Sequence, residues 1–431
     1  MLSTIANYIS GWHPSQSSPG KQHLTVNLPS IETHEIETDS DRRGRRLKHL
    51  LRLNHATHAV LYHHLHFHNH TAHILGSSYL LGADVDQLNA IYDKEAEVLE
   101  PWEDSPEEIS RSDWRYYLGD PQYQRAFVDF FEDQLVRQRY DWKKVVEEYL
   151  FSGDEPLINC LVAGLGHPLI HLGYAYELSI KEVAIEALTM ASASYNYLHK
   201  YMDDSSYTRP SPINSTSPLH LLKTIAIDPR FNDLYTSPGG SNLNDLFENH
   251  EHLILEYWNA WQIGDPTSQF AESQKAAAAV LVASNRSHDK SSSYDFFLVH
   301  LLTTSHAIRI LFPIIPPKYH ISMIRQWWLI TVAIYVSQLR PAIDLNTVAD
   351  FDLNGRDWDF AVAKATKADN PWSMDAHFVK AVRAMKEAAK TWGDDDRFYL
   401  KAAVKFSVEF DGWGGFGAND IEEHEVRREK I

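Results

Sequence analysis

Only one cysteine, Cys160, occurs among the 431 residues. A single thiol cannot close an intrachain disulfide, a thiolate zinc knuckle or an iron–sulfur cluster, and it fits a reducing compartment. Long apolar runs are missing too. The longest, Trp327 to Val336, is about half of the ~20 residues that a bilayer-spanning helix needs. Met1 to Pro14 lacks the basic region and the continuous apolar stretch of a secretory signal. These absences predict a soluble, cytoplasmic chain without a membrane partner. Positive charge is scarce, with 40 Lys and Arg against 58 Asp and Glu, a net charge of -18. Such a field repels polyanions, so nucleic acid is not an expected partner. The one basic cluster, Arg42, Arg43, Arg45, Arg46 and Lys48, follows directly on Glu32, Glu35, Glu37, Asp39 and Asp41, which offset it.

What the chain does have is enough apolar matter for a core: 44% hydrophobic and 23% charged residues. The length exceeds the usual ceiling for one compact core, so it fits either two domains or one large layered domain. From about Lys48 the apolar residues recur at helical period. The clearest cases are Leu88, Ile91, Tyr92 and Ala96; Phe127, Phe130, Phe131 and Leu135; and the segments 157–178, 181–201, 295–314, 320–339 and 371–391. Strand-like alternation is short and rare, with Leu24, Val26 and Leu28 as one candidate. No fixed-period repeat is present. Pro210 to Pro218 and Ile263 to Thr267 read as connections inside a domain. The expectation is a mainly α, single multi-helix domain over 48–420, with a short irregular or β-containing N-terminal arm over 1–47. A breaker cluster (Ser15, Ser17, Ser18, Pro19, Gly20) falls in that arm, and a charged tail covers 421–431.

Histidine is the compositional outlier at 24 residues. The first group is His55, His58, His63, His64, His66, His68, His70 and His73. If that stretch is helical, His63, His66, His70 and His73 share one face and His64 and His68 the other, so one or two serve a single centre. A second group, Gly164-Leu165-Gly166-His167-Pro168-Leu169-Ile170-His171, offers two imidazoles at i and i+4, a spacing by which a helix can present both to one metal. Pro168 starts or kinks the helix just there. A third places His300 within Phe296 to Leu302, an interior position, with His306 out of phase and the Thr303 hydroxyl one turn on. The fourth pairs His377 with Lys380 on one helix face. A lysine there either snorkels to water or is buried with its basicity depressed. A neutral amine can add carbon dioxide to give a carbamate, an oxygen donor for a metal. Taken singly, each of these histidines is more often a hydrogen-bonded core or surface residue than a ligand.

Gly412, Gly414 and Gly417 match G-x-G-x-x-G, the dinucleotide fingerprint. Only 14 residues follow Gly417, too few for the helix, second strand and ribose-binding acid of a βαβ unit. The segment reads as a glycine-rich turn, and no tightly bound flavin is expected.

The block Gly166-His167-Pro168-Leu169-Ile170-His171-Leu172-Gly173-Tyr174 resembles the questin oxidase-like family of fungal polyketide tailoring enzymes. So do Asn69-His70 with Leu80-Leu81-Gly82-Ala83 and Leu88, His300 to Thr303 with Ala307 and Arg309, and His377 to Lys380 with Arg383. The likeness spans roughly residues 50–420. It implies a helical oxygenase that opens the central ring of an anthraquinone, of questin or chrysophanol type, to a benzophenone. It also implies a non-heme Fe(II) centre of four histidines and a carboxylated lysine. Carried over, the lysine is Lys380, bearing carbon dioxide as its carbamate, and the histidines are His70, His167 and His300, with His377 ranked ahead of His171 as the fourth. His58 and Thr303 are then candidates for holding substrate or water.

Imidazole and carboxylate donors suit Fe(II), and ring cleavage by dioxygen needs a metal that changes oxidation state, which zinc cannot. On this reading a small aromatic polyketide, reduced to its hydroquinone or anthrol form, reacts with dioxygen. A separate quinone reductase supplies the electrons, so NADPH acts only indirectly. The 12% aromatic content could line a slot for a flat tricycle, but it fits the core of any large helical protein equally. Rival readings are an NADPH-dependent Baeyer–Villiger-type monooxygenase, a zinc- or manganese-dependent hydrolase, and a non-catalytic helical interaction protein.

Overall fold

The computed structural model describes residues 24–284 and 293–417. The breaker cluster at Ser15 to Gly20 and the tail 421–431 lie outside the described residues. The chain is a single helical domain, and ten of its longer helices are numbered here. They are α1 Arg42–Thr57, α2 Thr71–Leu80, α3 Gln124–Arg137, α4 His167–Leu178, α5 Lys181–Ala193, α6 Pro266–Val282, α7 Phe296–Leu311, α8 His320–Ser337, α9 Ala376–Trp392 and α10 Phe398–Glu409.

Local chemistry starts these helices. Asp41, Asp295 and Asp375 cap α1, α7 and α9 by accepting backbone N–H bonds from Arg43, from Phe297 and Leu298, and from Phe378. Pro168 and Pro266 sit in the first turns of α4 and α6, where the missing N–H costs nothing. Helix α7 is buried along its whole length after Phe296. It is the central rod, packed by α4, α6, α8 and α9. Helices α2, α4, α7 and α9 form a closed ring in which each packs on the next. Gly173 of α4 faces Ala307 of α7, and a Cβ built there would stand in ordinary contact at 3.4 Å from the Ala307 Cβ.

Several expectations change in detail. The first histidine group is not one helix: β1 Leu61–Tyr62 pairs antiparallel with β2 Phe67–His68. His63, His64 and Leu65 adopt positive φ in the turn between them. The segment 157–178 breaks into a 3₁₀ turn, Leu157–Cys160, a left-handed turn at Gly164–Gly166, and α4, because Pro168 favours the start of a helix over its interior. Leu24, Val26 and Leu28 form no strand. Their neighbourhood is extended chain pinned by side chains, with Val26 N donating to His320 Nδ1 at 3.0 Å and Asn27 N to Thr267 Oγ1 at 3.0 Å. The glycine-rich segment is more than a turn. β4 Trp413–Gly414 runs parallel to β3 Tyr294–Asp295 and holds the start of α7. Among the described residues the two sheets each have two strands of two residues, and no βαβ unit is present. No described helix is long and apolar enough to cross a membrane.

Candidate metal centre

Each helix of the closed ring brings one histidine to a common point: His70 caps α2, His167 opens α4, His300 lies in α7 and His377 in α9. All four are buried. Ligating nitrogens of His70, His167 and His377 lie within 4.8 Å of one another. His167 Nε2 stands 2.9 Å from His70 Nε2, and His300 Nε2 stands 3.3 Å from His377 Nε2.

Backbone carbonyls set which nitrogen of each ring faces inward. His70 Nδ1 donates to His68 O at 2.6 Å, His167 Nδ1 to Gly164 O at 2.6 Å, and His300 Nδ1 to Phe296 O at 2.9 Å. A carbonyl only accepts, so Nδ1 holds the proton and Nε2 of a neutral ring presents a bare lone pair. The rings of His70, His167 and His300 are held neutral. Burial, followed by the Lys380 charge, keeps His70 well below the ordinary imidazole range and puts His300 at about 3. Burial, with neighbouring His68 and His300, does the same to His167. Two lone pairs facing each other at 2.9 Å repel, and a cation at their focus removes that repulsion. The donor set therefore fits a divalent transition metal, with the backbone carbonyls as the outer partners that fix ring orientation.

The turn before α4 makes this aim possible. Gly164 and Gly166 have φ of 56° and 78°, and a Cβ on Gly166 would fall 2.2 Å from Thr304 Cγ2. Asn69 anchors the start of α2: its amide donates to Asn54 Oδ1 at 2.9 Å and its Oδ1 accepts from Thr71 N at 3.0 Å.

The chain has relatives of known name. The questin oxidase-like family model matches residues 67–385. A Baeyer–Villiger oxidase of Pestalotiopsis microspora is 25% identical over 432 residues, covering 93% of this chain and 91% of its own. Another from Emericella nidulans is 27% identical over 380 residues, covering 82% and 84%. A questin oxidase of Aspergillus fumigatus is 25% identical over 359 residues, covering 78% and 79%. The chain belongs to the questin oxidase-like family. By that membership it is an oxidoreductase.

Within this questin oxidase-like chain the structure gathers His70, His167, His300 and His377, and it turns His171 elsewhere. His171 Nδ1 meets His73 Nε2 at 3.0 Å and its Nε2 donates to Glu186 Oε2 at 2.7 Å, so both nitrogens are engaged away from the four. The i, i+4 pair therefore splits: His167 faces the focus from the first position of α4, and His171 faces α5. Lys380 is buried on α9, one turn beyond His377. It shares with Thr303, Tyr174, His306 and Ile170 a cavity of about 10 Å³, room for one water. The Thr303 hydroxyl bonds back to Val299 O at 3.3 Å. His58 is not brought to the cluster. It ends α1 half-buried, with Nδ1 3.0 Å from Thr57 Oγ1 and its ring 6.3 Å from Tyr92. The sequence reading set His68 on the face opposite His70, whereas its ring stacks on His167 at 4.0 Å and 1°. It missed Glu186, and with it the links that join His73 through His171 to Glu186 and Glu186 to His55, which lie on different helices.

Proposed function

We propose that this chain is a non-heme Fe(II)-dependent oxygenase that opens the central ring of an anthraquinone, of questin or chrysophanol type, to a benzophenone. One observation carries the reading: four buried imidazoles, three with Nδ1 tied to backbone carbonyls, cluster together, with ligating nitrogens of His70, His167 and His377 within 4.8 Å of one another and His300 Nε2 3.3 Å from His377 Nε2. The name of the Aspergillus fumigatus relative, a questin oxidase, supports the substrate class. His70, His167, His300 and His377 would hold the metal, and Lys380, as its carbamate, would add an anionic oxygen donor. Carbamate formation joins the amine nitrogen to carbon dioxide and releases one proton. Bound there, Fe(II) supplies the one-electron chemistry that lets dioxygen react with a closed-shell ring.

The residues around the cluster then orient and protect. Phe296 lies against His377 at 4.6 Å and Phe416 against Phe296 at 5.2 Å, so aromatic rings cover this side of the cluster. Burial excludes water from the imidazoles. The Thr303 hydroxyl, on the cavity shared with Lys380, is placed to hold a water or a substrate oxygen. The substrate enters as the reduced hydroquinone or anthrol, which loses a proton on reaction. Its electrons come from a separate quinone reductase, so the chain itself needs no NADPH site.

Metal analysis of anaerobically purified protein, with oxygen uptake on a chemically reduced anthraquinone, tests the proposal. Stoichiometric iron with pigment-dependent oxygen uptake is expected. Stoichiometric zinc without oxygen uptake would overturn it in favour of a hydrolase, and activity that survives a strong Fe(II) chelator would favour a metal-free monooxygenase.

A further inference from the structure

Outside the four imidazoles, a second chain of titratable groups runs through the interior. His73, on α2, has its ring 5.3 Å from His70 and 6.0 Å from His167. Its Nε2 meets His171 Nδ1 at 3.0 Å, and His171 Nε2 donates to Glu186 Oε2 at 2.7 Å. The other oxygen of Glu186 accepts from His55 Nδ1 at 3.0 Å, and His55 Nε2 donates to Glu132 Oε1 at 3.1 Å. His73, His171, Glu186 and His55 are buried, whereas the Glu132 side chain is 48% exposed. Four consecutive hydrogen bonds thus lead from the wall of the cluster to the surface, through α2, α4, α5, α1 and α3. His73 Nδ1, at the inner end, meets no hydrogen-bond partner among the described residues.

A purely structural role explains a buried histidine–carboxylate pair, but not a hydrogen-bonded line of five groups that begins at His73, a ring in contact with His70, and ends at the half-exposed Glu132. We propose that His73, His171, Glu186, His55 and Glu132 form a proton conduit between the imidazole cluster and solvent. The inference rests on the oxygenase reading for its purpose, since a hydroxyl proton released in a buried site needs an exit. Its geometry stands on its own.

The transfer balances. A proton arriving at His73 Nδ1 displaces the one on Nε2 to His171 Nδ1, so His73 changes tautomer rather than charge. His171 Nε2–H passes to Glu186, while His55 Nε2–H passes to Glu132 and on to water. Each new N–H or O–H bond matches one that breaks, so one proton enters and one leaves. The ion pair of Glu186 and His55 is neutralised in passing; it re-forms when the His55 ring turns over, so that its bare nitrogen faces Glu186 and takes the proton, and the rings of His171 and His73 reset by the same turn. That ion pair is the resting state: burial opposes both charges, but hydrogen bonds from His171 and His55 hold Glu186 at about 2, and those to Glu132 and Glu186 hold His55 at about 9.

The test uses the full chain without metal, so that it does not depend on the oxygenase reading. Solvent exchange of the downfield imidazole N–H protons of His171 and His73 is followed by NMR in wild type, Glu186→Gln and Glu132→Gln. Glutamine keeps the hydrogen bond from His171 but cannot take its proton. Exchange is expected to slow about tenfold or more in Glu186→Gln. In Glu132→Gln, at a half-exposed position where glutamine can still accept from His55, it should slow a few-fold and recover with added imidazole buffer. Exchange at the wild-type rate in both variants would overturn the conduit. On the loaded enzyme the same variants should lose turnover while keeping their metal. Wild type that neither binds iron nor consumes oxygen would instead sink the oxygenase reading and leave the exchange result standing.

Discussion

His167 and His70 face each other through Nε2 atoms 2.9 Å apart, and neither nitrogen carries a proton, because each ring's Nδ1–H is committed to a backbone carbonyl. A pair of lone pairs held this close in the interior is costly unless a cation shares them. The first test follows from that cost. His167→Ala or His300→Ala should lower metal content at least tenfold, in line with loss of a ligand from a buried site. Elemental analysis of the purified variants is the measurement. The metal-free His167→Ala protein should melt no lower than metal-free wild type, since the repulsion goes with the ring.

Lys380 is the next test. Lys380→Ala should abolish pigment turnover, and depletion of bicarbonate should weaken wild type. Carbon-13 NMR after incubation with labelled carbon dioxide should show one carbamate resonance that is missing in the variant. Activity indifferent to both treatments would remove the carbamate from the centre.

Gly166 bears on fold and site together. Its φ of 78° and the 2.2 Å approach of a Cβ to Thr304 leave alanine no comfortable conformation. Gly166→Ala should destabilise the protein by about 2–4 kcal/mol and reduce metal content, because the Gly164 carbonyl that orients His167 moves with the turn. Thermal melting and metal analysis on one preparation read out both effects. A variant with the wild-type melting temperature would show that the turn relaxes freely.

Two buried groups give stability a pH signature of defined sign. The hydrogen bonds to Glu132 and Glu186 outweigh burial and raise His55 from 6.5 to about 9, so its contribution is full below pH 6.5 and is lost as pH rises to about 9. Burial raises Asp295 from 3.8 to about 7, against the bonds it accepts from Leu298 and Phe297. Its ionisation therefore costs stability as pH rises between those values. Each effect is on the order of 3 kcal/mol. Denaturant titrations across pH should show His55→Gln flattening the upper window and Asp295→Asn the lower, since asparagine still caps α7. Profiles parallel to wild type would contradict the assignments.

Much of the architecture can be read from patterns along the chain. Apolar residues at helical period in 295–314 and 320–339 foretell α7 and α8 to within a few residues, because a helix is decided by neighbours three and four positions apart. The family resemblance was legible in Gly166 to Tyr174 and in His377 to Lys380. His300 showed as interior because its flanks are apolar throughout. Harder to read was the first histidine group, where turn residues 63–65 with positive φ and a two-residue hairpin replaced the helical alternative. Spacing within one helix also suggested a shared role for His167 and His171, which in fact face different partners.

The amino-acid order by itself determined that the protein is helical, that a helix starts or kinks at Pro168, and that histidine is the residue in which the chain is unusually rich. Those are local matters, settled within a few turns of backbone. Which imidazoles meet was decided only by the closing of α2, α4, α7 and α9 into a ring. Direction is a property of packed helices: how the helix α4 is rotated and offset against its neighbours leaves His167 on the imidazole cluster and His171, one turn on, against Glu186. No spacing rule within a single helix contains that rotation, because it is fixed by the apolar surfaces of four helices brought together from across the chain.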